Sequence, residues 1–190
     1  MGIRCLQAAF LVVPALLGAV PATAGEAEQR VLYGRTLAKG ELGWACFSRV
    51  YDDAHLRAHP AQNVTALTML AYRPDWPGAD ASILNFEARL RKAREPVQFS
   101  GECREADGGG LACGIECDGG TFGIKPSGPG AMMVDLPASP GLCDGEDNAD
   151  GAVFGADDRR FRLDRADMSA CRDLVWDDAL RPRLLRAAGQ

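Results

Sequence analysis

Histidine and lysine are scarce in this chain, and several common sequence motifs are absent. Only two histidines, His55 and His59, and three lysines occur among 190 residues. The sequence contains neither the H-E-x-x-H motif of zinc proteases nor the G-x-S-x-G motif of serine hydrolases. A net charge of −5 leaves little basic surface for phosphate groups. The composition therefore argues against these two hydrolase classes and against a nucleic-acid partner.

Long apolar runs are also missing beyond residue 24, so no later segment is long enough to span a bilayer. Residues 1–24 have the pattern of a secretory signal peptide: Arg4 is the positive start, 6–20 is apolar, and A-T-A ends at Ala24. A membrane anchor is the alternative interpretation, but Pro14 interrupts the apolar stretch. We predict a secreted or periplasmic protein without a transmembrane segment after signal cleavage.

The chain contains an unusually large number of cysteines, seven in 190 residues. Of seven cysteines, Cys5 would leave with the signal peptide. An even number in an exported chain predicts disulfide bonds. The alternative is a metal site on Cys113 and Cys117, which form a C-x-x-x-C sequence, but no second pair of cysteines has a zinc-ligand spacing. The six predicted disulfide cysteines are Cys46, Cys103, Cys113, Cys117, Cys143 and Cys171.

Apolar residues recur at every second position along much of the chain. In residues 84–90 they alternate with polar residues, which is typical of a half-buried strand. Segments rich in glycine, proline and aspartate separate the strands. Seven or eight short strands at this spacing predict a small antiparallel β-barrel or sandwich. The other seven predicted strands are 45–51, 64–72, 97–104, 111–117, 121–125, 132–136 and 160–164.

Two short helices are predicted between the strands. Asp52 or Asp53 can cap the first, which ends before a proline, and Asp167 or Ser169 can cap the second, which reaches about Leu180. The expected organisation is a signal peptide at 1–24, a loosely ordered segment at 25–40, a single β-rich domain at 41–180, and a flexible tail at 181–190.

Strand geometry suggests how the cysteines pair. A hairpin centred on Gly108 places Cys103 directly opposite Cys113, where a cross-strand disulfide can form. The other four cysteines allow three pairings. The preferred pairing joins Cys117 to Cys143 and Cys46 to Cys171, the latter linking the first strand to the C-terminal helix.

The two histidines form a candidate metal site. His55 and His59 are four residues apart, so a helix would place both imidazoles on one face, and Asp52 adds a carboxylate. Three such ligands suffice for zinc or copper. The alternative is a solvated helix face in which Asp52 acts as a cap and His59 lies at the negative helix end.

An acidic stretch has the spacing of a calcium loop, with Glu146 at the first position and Asp157 at the twelfth. The usual residues at these positions are Asp and Glu, the reverse of those found, and the predicted flanks are not two helices. A solvated acidic loop is the simpler interpretation.

Four stretches of the sequence resemble a group of uncharacterised exported bacterial proteins. The resemblance implies export and a single β-rich domain, and it assigns no functional residue. The stretches are W-A-C-F-S-R-V-Y from Trp44, H-L-R-A-H-P from His55, C-G-I-E-C-D-G-G from Cys113, and G-A-D-D-R-R-F-R-L-D-R from Gly155.

The leading expectation for function is a non-catalytic binding or accessory protein of the bacterial cell envelope, whose acidic segment 144–158 meets a basic partner. One alternative is a metal-binding protein or small metalloenzyme that uses Asp52, His55 and His59. The other alternative is a lipocalin-like carrier of a small apolar ligand, suggested by strand number alone.

Overall fold

The computed structural model describes residues 25–79, 81–138, 140 and 154–187. Eight antiparallel strands form a closed barrel, because each strand pairs with the next and the last pairs with the first. This confirms the predicted antiparallel β-fold, and of the two predicted forms it is the barrel and not the sandwich. The strands are β1 (Gly43–Val50), β2 (Val64–Arg73), β3 (Ile83–Leu90), β4 (Val97–Ala106), β5 (Gly110–Ile115), β6 (Thr121–Pro126), β7 (Ala131–Asp135) and β8 (Arg160–Ala166).

The barrel interior is filled with apolar side chains. Phe86 lies at its centre, with its ring centroid 4.7 Å from that of Phe99 and 5.3 Å from that of Phe122. Side chains from β2, β3, β6 and β8 that have no solvent-accessible surface surround this trio, so water cannot fit between them. These side chains include Leu67, Met69, Leu84, Ile124 and Leu163.

Helix α1 (Glu26–Tyr33) lies in the segment for which we predicted loose order. Leu32 and Tyr33 are buried against the barrel residues, and the Tyr33 hydroxyl donates to Ser82 Oγ at 2.9 Å. An isolated eight-residue helix is unstable in water, so these contacts with the barrel account for its order.

Helix α2 (Asp53–Ala58) connects β1 to β2 and agrees with the predicted first helix. The second predicted helix differs from the structure: a 3-10 helix (Met168–Leu174) ends early, and α3 (Arg181–Ala187) follows. Pro182 lies in the first turn of α3, where its missing N–H costs no helical hydrogen bond. The segment predicted as a flexible tail therefore begins with a helix.

A second apolar cluster lies on the outer face of the barrel. The 3-10 helix packs there against β1 and β2, α3 packs against the 3-10 helix, and Asn85 Nδ2 donates to the Leu174 carbonyl at 2.7 Å. The cluster includes Cys46, Leu70, Tyr72, Met168, Cys171, Leu174, Leu180 and Leu184.

Two predicted disulfides are confirmed. Cys103 and Cys113 are register partners on β4 and β5, and Cys46 on β1 is bonded to Cys171 in the 3-10 helix. Cys117 is also disulfide-bonded, but it lies in the turn after β5 with a positive φ of 58° and not in a strand. Cys143 lies outside the described residues, so its pairing with Cys117 stays a prediction.

The predicted signal peptide, 1–24, also lies outside the described residues. Within the described part of the chain, no helix is long and apolar enough to cross a membrane.

Candidate functional site

The connection between β1 and β2 carries both histidines: His55 lies in α2, and His59 is the residue that follows and caps its C-terminal end. At the start of α2, Asp52 Oδ1 accepts the backbone N–H of His55 at 2.7 Å. At its other end, Arg91 donates to the carbonyls of Leu56, His59 and Gln62 at 2.6, 3.2 and 2.8 Å. These contacts place α2 firmly against the end of β3.

Three rings stack along this connection. The centroid of Tyr51 is 4.6 Å from that of His55, which is 4.4 Å from that of His59. His55 Nε2 is 3.0 Å from Gln62 Oε1, and burial raises the pKa of Tyr51. The two imidazoles therefore lie next to each other, although only His55 is part of the helix on which the prediction placed both.

The structure does not bring Asp52 together with the imidazoles as a third ligand. Its hydrogen bond from the His55 backbone lowers the pKa of the Asp52 carboxyl, as expected of a helix cap. Imidazole lone pairs lie in the ring plane, so stacked rings direct them side by side and not toward one point. Across the described residues, no group of three or more His, Cys, Asp or Glu side chains is placed to hold a metal ion. Metal binding by His55 and His59 stays a prediction.

One carboxylate next to the predicted calcium loop has a structural role. Asp158 is fully buried, and its side chain accepts the backbone N–H groups of Asn63, Val64 and Gly155 at 2.7 to 3.2 Å. It therefore ties the strand that follows it to the start of β2. Asp157 is described and exposed, whereas Glu146 lies outside the described residues, so calcium binding stays a prediction.

An open groove of about 450 Å³ lies beside α2 on the outer face of the barrel. The outer faces of β1, β2 and β3 form its floor, α2 forms one wall, and the 3-10 helix forms the other. Val50 lies in this groove and is 74% exposed, the largest value among the exposed large apolar residues of the described chain. The other lining residues include Tyr51, Asp53, Leu56, Thr68, Glu87, Arg89 and Asp173.

The charges in the groove do not cancel. Glu87 and Arg89 form an ion pair at 3.0 Å on the floor. Asp53 on one wall and Asp173 on the other have no ion-pair partner among the described residues. The groove therefore combines two uncompensated carboxylates with an exposed apolar side chain.

Sequence reasoning did not find this groove. Its residues come from three strands and two helices, and no spacing in the sequence relates Asp53 to Asp173. The one local signal is Val50 at an outward position next to a Tyr-Asp-Asp sequence.

The fold and the groove define a closed antiparallel β-barrel with a filled interior and a concave, negatively charged site on its outer face. Comparison of the chain with protein-family models, curated proteins and solved structures found no match.

Proposed function

We propose that this chain is an exported, non-catalytic binding or accessory protein of the bacterial cell envelope, which holds a basic partner segment in the groove between α2 and the 3-10 helix. The observation that carries the proposal is the pair of uncompensated carboxylates, Asp53 and Asp173, on opposite walls beside exposed Val50.

Export is supported by the covalent chemistry of the chain. Two described disulfides, Cys46–Cys171 and Cys103–Cys113, are of the kind that persists in oxidising compartments. The signal-like residues 1–24 and the resemblance to exported bacterial proteins agree with this location.

Binding on the outer face is favoured over binding inside the barrel. A lipocalin-like carrier needs an apolar cavity for its ligand. Here an apolar ligand would first have to displace Phe86 and its neighbours, which leave no accessible surface between them. Removing such packing costs several kcal/mol, roughly 3 to 5 for one phenylalanine.

The partner chemistry follows from the groove. Lysine or arginine side chains of a partner can form charge-assisted hydrogen bonds with Asp53 and Asp173. An apolar partner residue between them would cover Val50 and remove it from water. Because the two carboxylates are solvent-accessible, added salt should weaken the complex.

The test compares two double variants with the same change in charge. Asp53→Asn with Asp173→Asn removes the groove carboxylates, whereas Asp107→Asn with Asp118→Asn changes exposed residues in turns outside the groove. Each protein is used to capture partners from periplasmic extract at low and at high salt. We expect only the groove variant to lose the captured partner.

A photo-crosslinking residue at Val50 identifies what lies in the groove. We expect it to join a partner segment that contains lysine or arginine. Equal capture by both double variants, no capture at any salt concentration, or a crosslinked segment without basic residues would each refute the proposal.

The second candidate is the metal-binding protein, because the His55 and His59 rings lie 4.4 Å apart. It requires stoichiometric zinc or copper in protein purified from its own compartment, and loss of that metal in a His55→Ala, His59→Ala variant. If the unsubstituted protein contains no more metal than the double variant, the metal-binding hypothesis is eliminated.

A further inference from the structure

A second cavity, of about 400 Å³, lies where β8 meets β1, next to the C-terminal end of α1. It is separate from the groove and shares no lining residue with it. Its lining includes Leu37, Leu42, Trp44, Arg165, Asp167 and Met168.

Arg165 supplies a cation without a counter-ion. Its guanidinium lies 5.0 Å from the centroid of Phe47 and donates to the carbonyls of Leu32 and Tyr33, both at 3.3 Å. No described carboxylate pairs with it, and partial burial lowers its pKa. A guanidinium has five N–H donors, so it retains donors for an anion. A carboxylate in the cavity would supply the missing negative charge.

Asp167 supplies the opposite charge in the same cavity. It follows β8 directly, it is exposed, and its side chain makes no capping hydrogen bond to the 3-10 helix. It pairs with no described cation, Arg165 included. Arg35, also in the lining, is already paired with Glu41. The cavity is left with one uncompensated cation and one uncompensated anion.

Apolar side chains form the rest of the lining. Trp44 is partly exposed on β1, and Leu37 and Met168 are buried beside it. A ligand of matching chemistry carries a carboxylate, an ammonium group and an apolar body.

We propose that this cavity binds a small zwitterion of the amino acid type with an apolar side chain. Its carboxylate pairs with Arg165, its ammonium group pairs with Asp167, and its side chain packs against Trp44. This site does not depend on the groove or on the partner proposed for it.

Calorimetry with L-phenylalanine, L-leucine and L-methionine tests the ligand class. We expect at least one to bind saturably, with a Kd of about 1 mM or lower. The analogues of that amino acid that lack its ammonium group or its carboxylate, such as 3-phenylpropionate and phenethylamine, should each bind about tenfold more weakly. No saturable binding of any of the three amino acids, or equal binding of either analogue, would overturn the proposal.

Matched variants test the residues. Asp167→Asn should weaken binding of the amino acid about tenfold and leave 3-phenylpropionate unaffected, since that analogue has no ammonium group. Asp173→Asn, in the groove, is the control and should leave both unchanged. Arg165→Met should weaken both ligands, and circular dichroism shows whether it still folds. Unchanged amino acid binding in Asp167→Asn would refute the assignment, whatever the groove variants do to partner capture.

Discussion

The barrel interior and the outer cluster are both buried, but they are assembled differently. Interior side chains come from alternate positions of consecutive strands, and the disulfide Cys103–Cys113 within it spans 10 residues. The outer cluster joins β1 and β2 to the 3-10 helix and α3, and its disulfide, Cys46–Cys171, spans 125 residues. Apart from the pairing of β8 with β1, the interior therefore depends on pairing between strands that are consecutive in the chain, whereas the outer cluster depends on contacts between distant parts of the chain.

The largest expected difference between these regions is in their disulfides. A crosslink stabilises a fold mainly by restricting the unfolded chain, and more so for longer loops. Replacing Cys46 and Cys171 by alanine should lower the free energy of unfolding by about 5 kcal/mol, and replacing Cys103 and Cys113 by about 3 kcal/mol. Urea denaturation of the two alanine pairs measures both losses. Equal losses, or a larger loss for the shorter loop, would contradict the comparison.

Side-chain truncation should give the next largest difference. Phe86→Ala removes the central ring of the interior, where rigid strands prevent collapse around the cavity, and should cost roughly 4 kcal/mol. Leu184→Ala, in the short terminal helix α3, should cost roughly 2 kcal/mol because that helix can shift toward the barrel. The same urea titrations measure both losses. A loss for Leu184→Ala as large as that for Phe86→Ala would show that the outer cluster is equally rigid.

The smallest expected effects are changes of stability with pH that arise from two carboxyl groups, Glu28 and Glu41. The two changes have opposite signs. Burial raises the pKa of Glu28, whose Oε1 accepts the Ser82 N–H at 3.2 Å. Its stabilising contribution is therefore complete below the ordinary glutamate pKa and is lost as pH rises through the folded-state value. Hydrogen bonds from Arg35 and the Ala38 N–H lower the pKa of Glu41 to about 2. Its contribution is complete above the ordinary value and is lost as pH falls toward 2.

Substitution by glutamine separates these effects. Relative to the unsubstituted protein, Glu28→Gln should become more stable as pH rises, and Glu41→Gln should become less stable over the same interval. Urea denaturation midpoints of both variants and of the unsubstituted protein between pH 3 and pH 8 give the slope of relative stability against pH. Parallel slopes for the two variants would contradict the opposite pKa shifts of Glu28 and Glu41.

Much of the barrel was predictable from the sequence because a half-buried strand imposes a period of two. The alternation in residues 84–90 locates β3, and the same pattern locates the other seven strands. A hairpin centred on Gly108 predicts that Cys103 and Cys113 are register partners, as they are in the structure. The cap at Asp52 was equally local, since it needs only a carboxylate three residues before a helical N–H.

The helices at the chain ends and the groove were not predictable for a physical reason. Helix α1 is too short to be stable alone, so its order comes from barrel residues far away in sequence. Arg91 directly follows β3, and nothing in the sequence indicates that its guanidinium donates to the Leu56 and His59 carbonyls at the end of α2. The two walls of the groove lie more than 100 residues apart in the sequence, at Asp53 and Asp173.

The pairing of β8 with β1 has a consequence for how this chain matures. Residues 46–48 on β1 form bridges with residues 164–166, so a polypeptide that has emerged only as far as β7 still has a strand edge open to neighbouring molecules. The Cys46 thiol likewise cannot form its disulfide until Cys171 has been made. The barrel can therefore close only after β8 has been made, and the Cys46–Cys171 disulfide can form only after the 3-10 helix has been made.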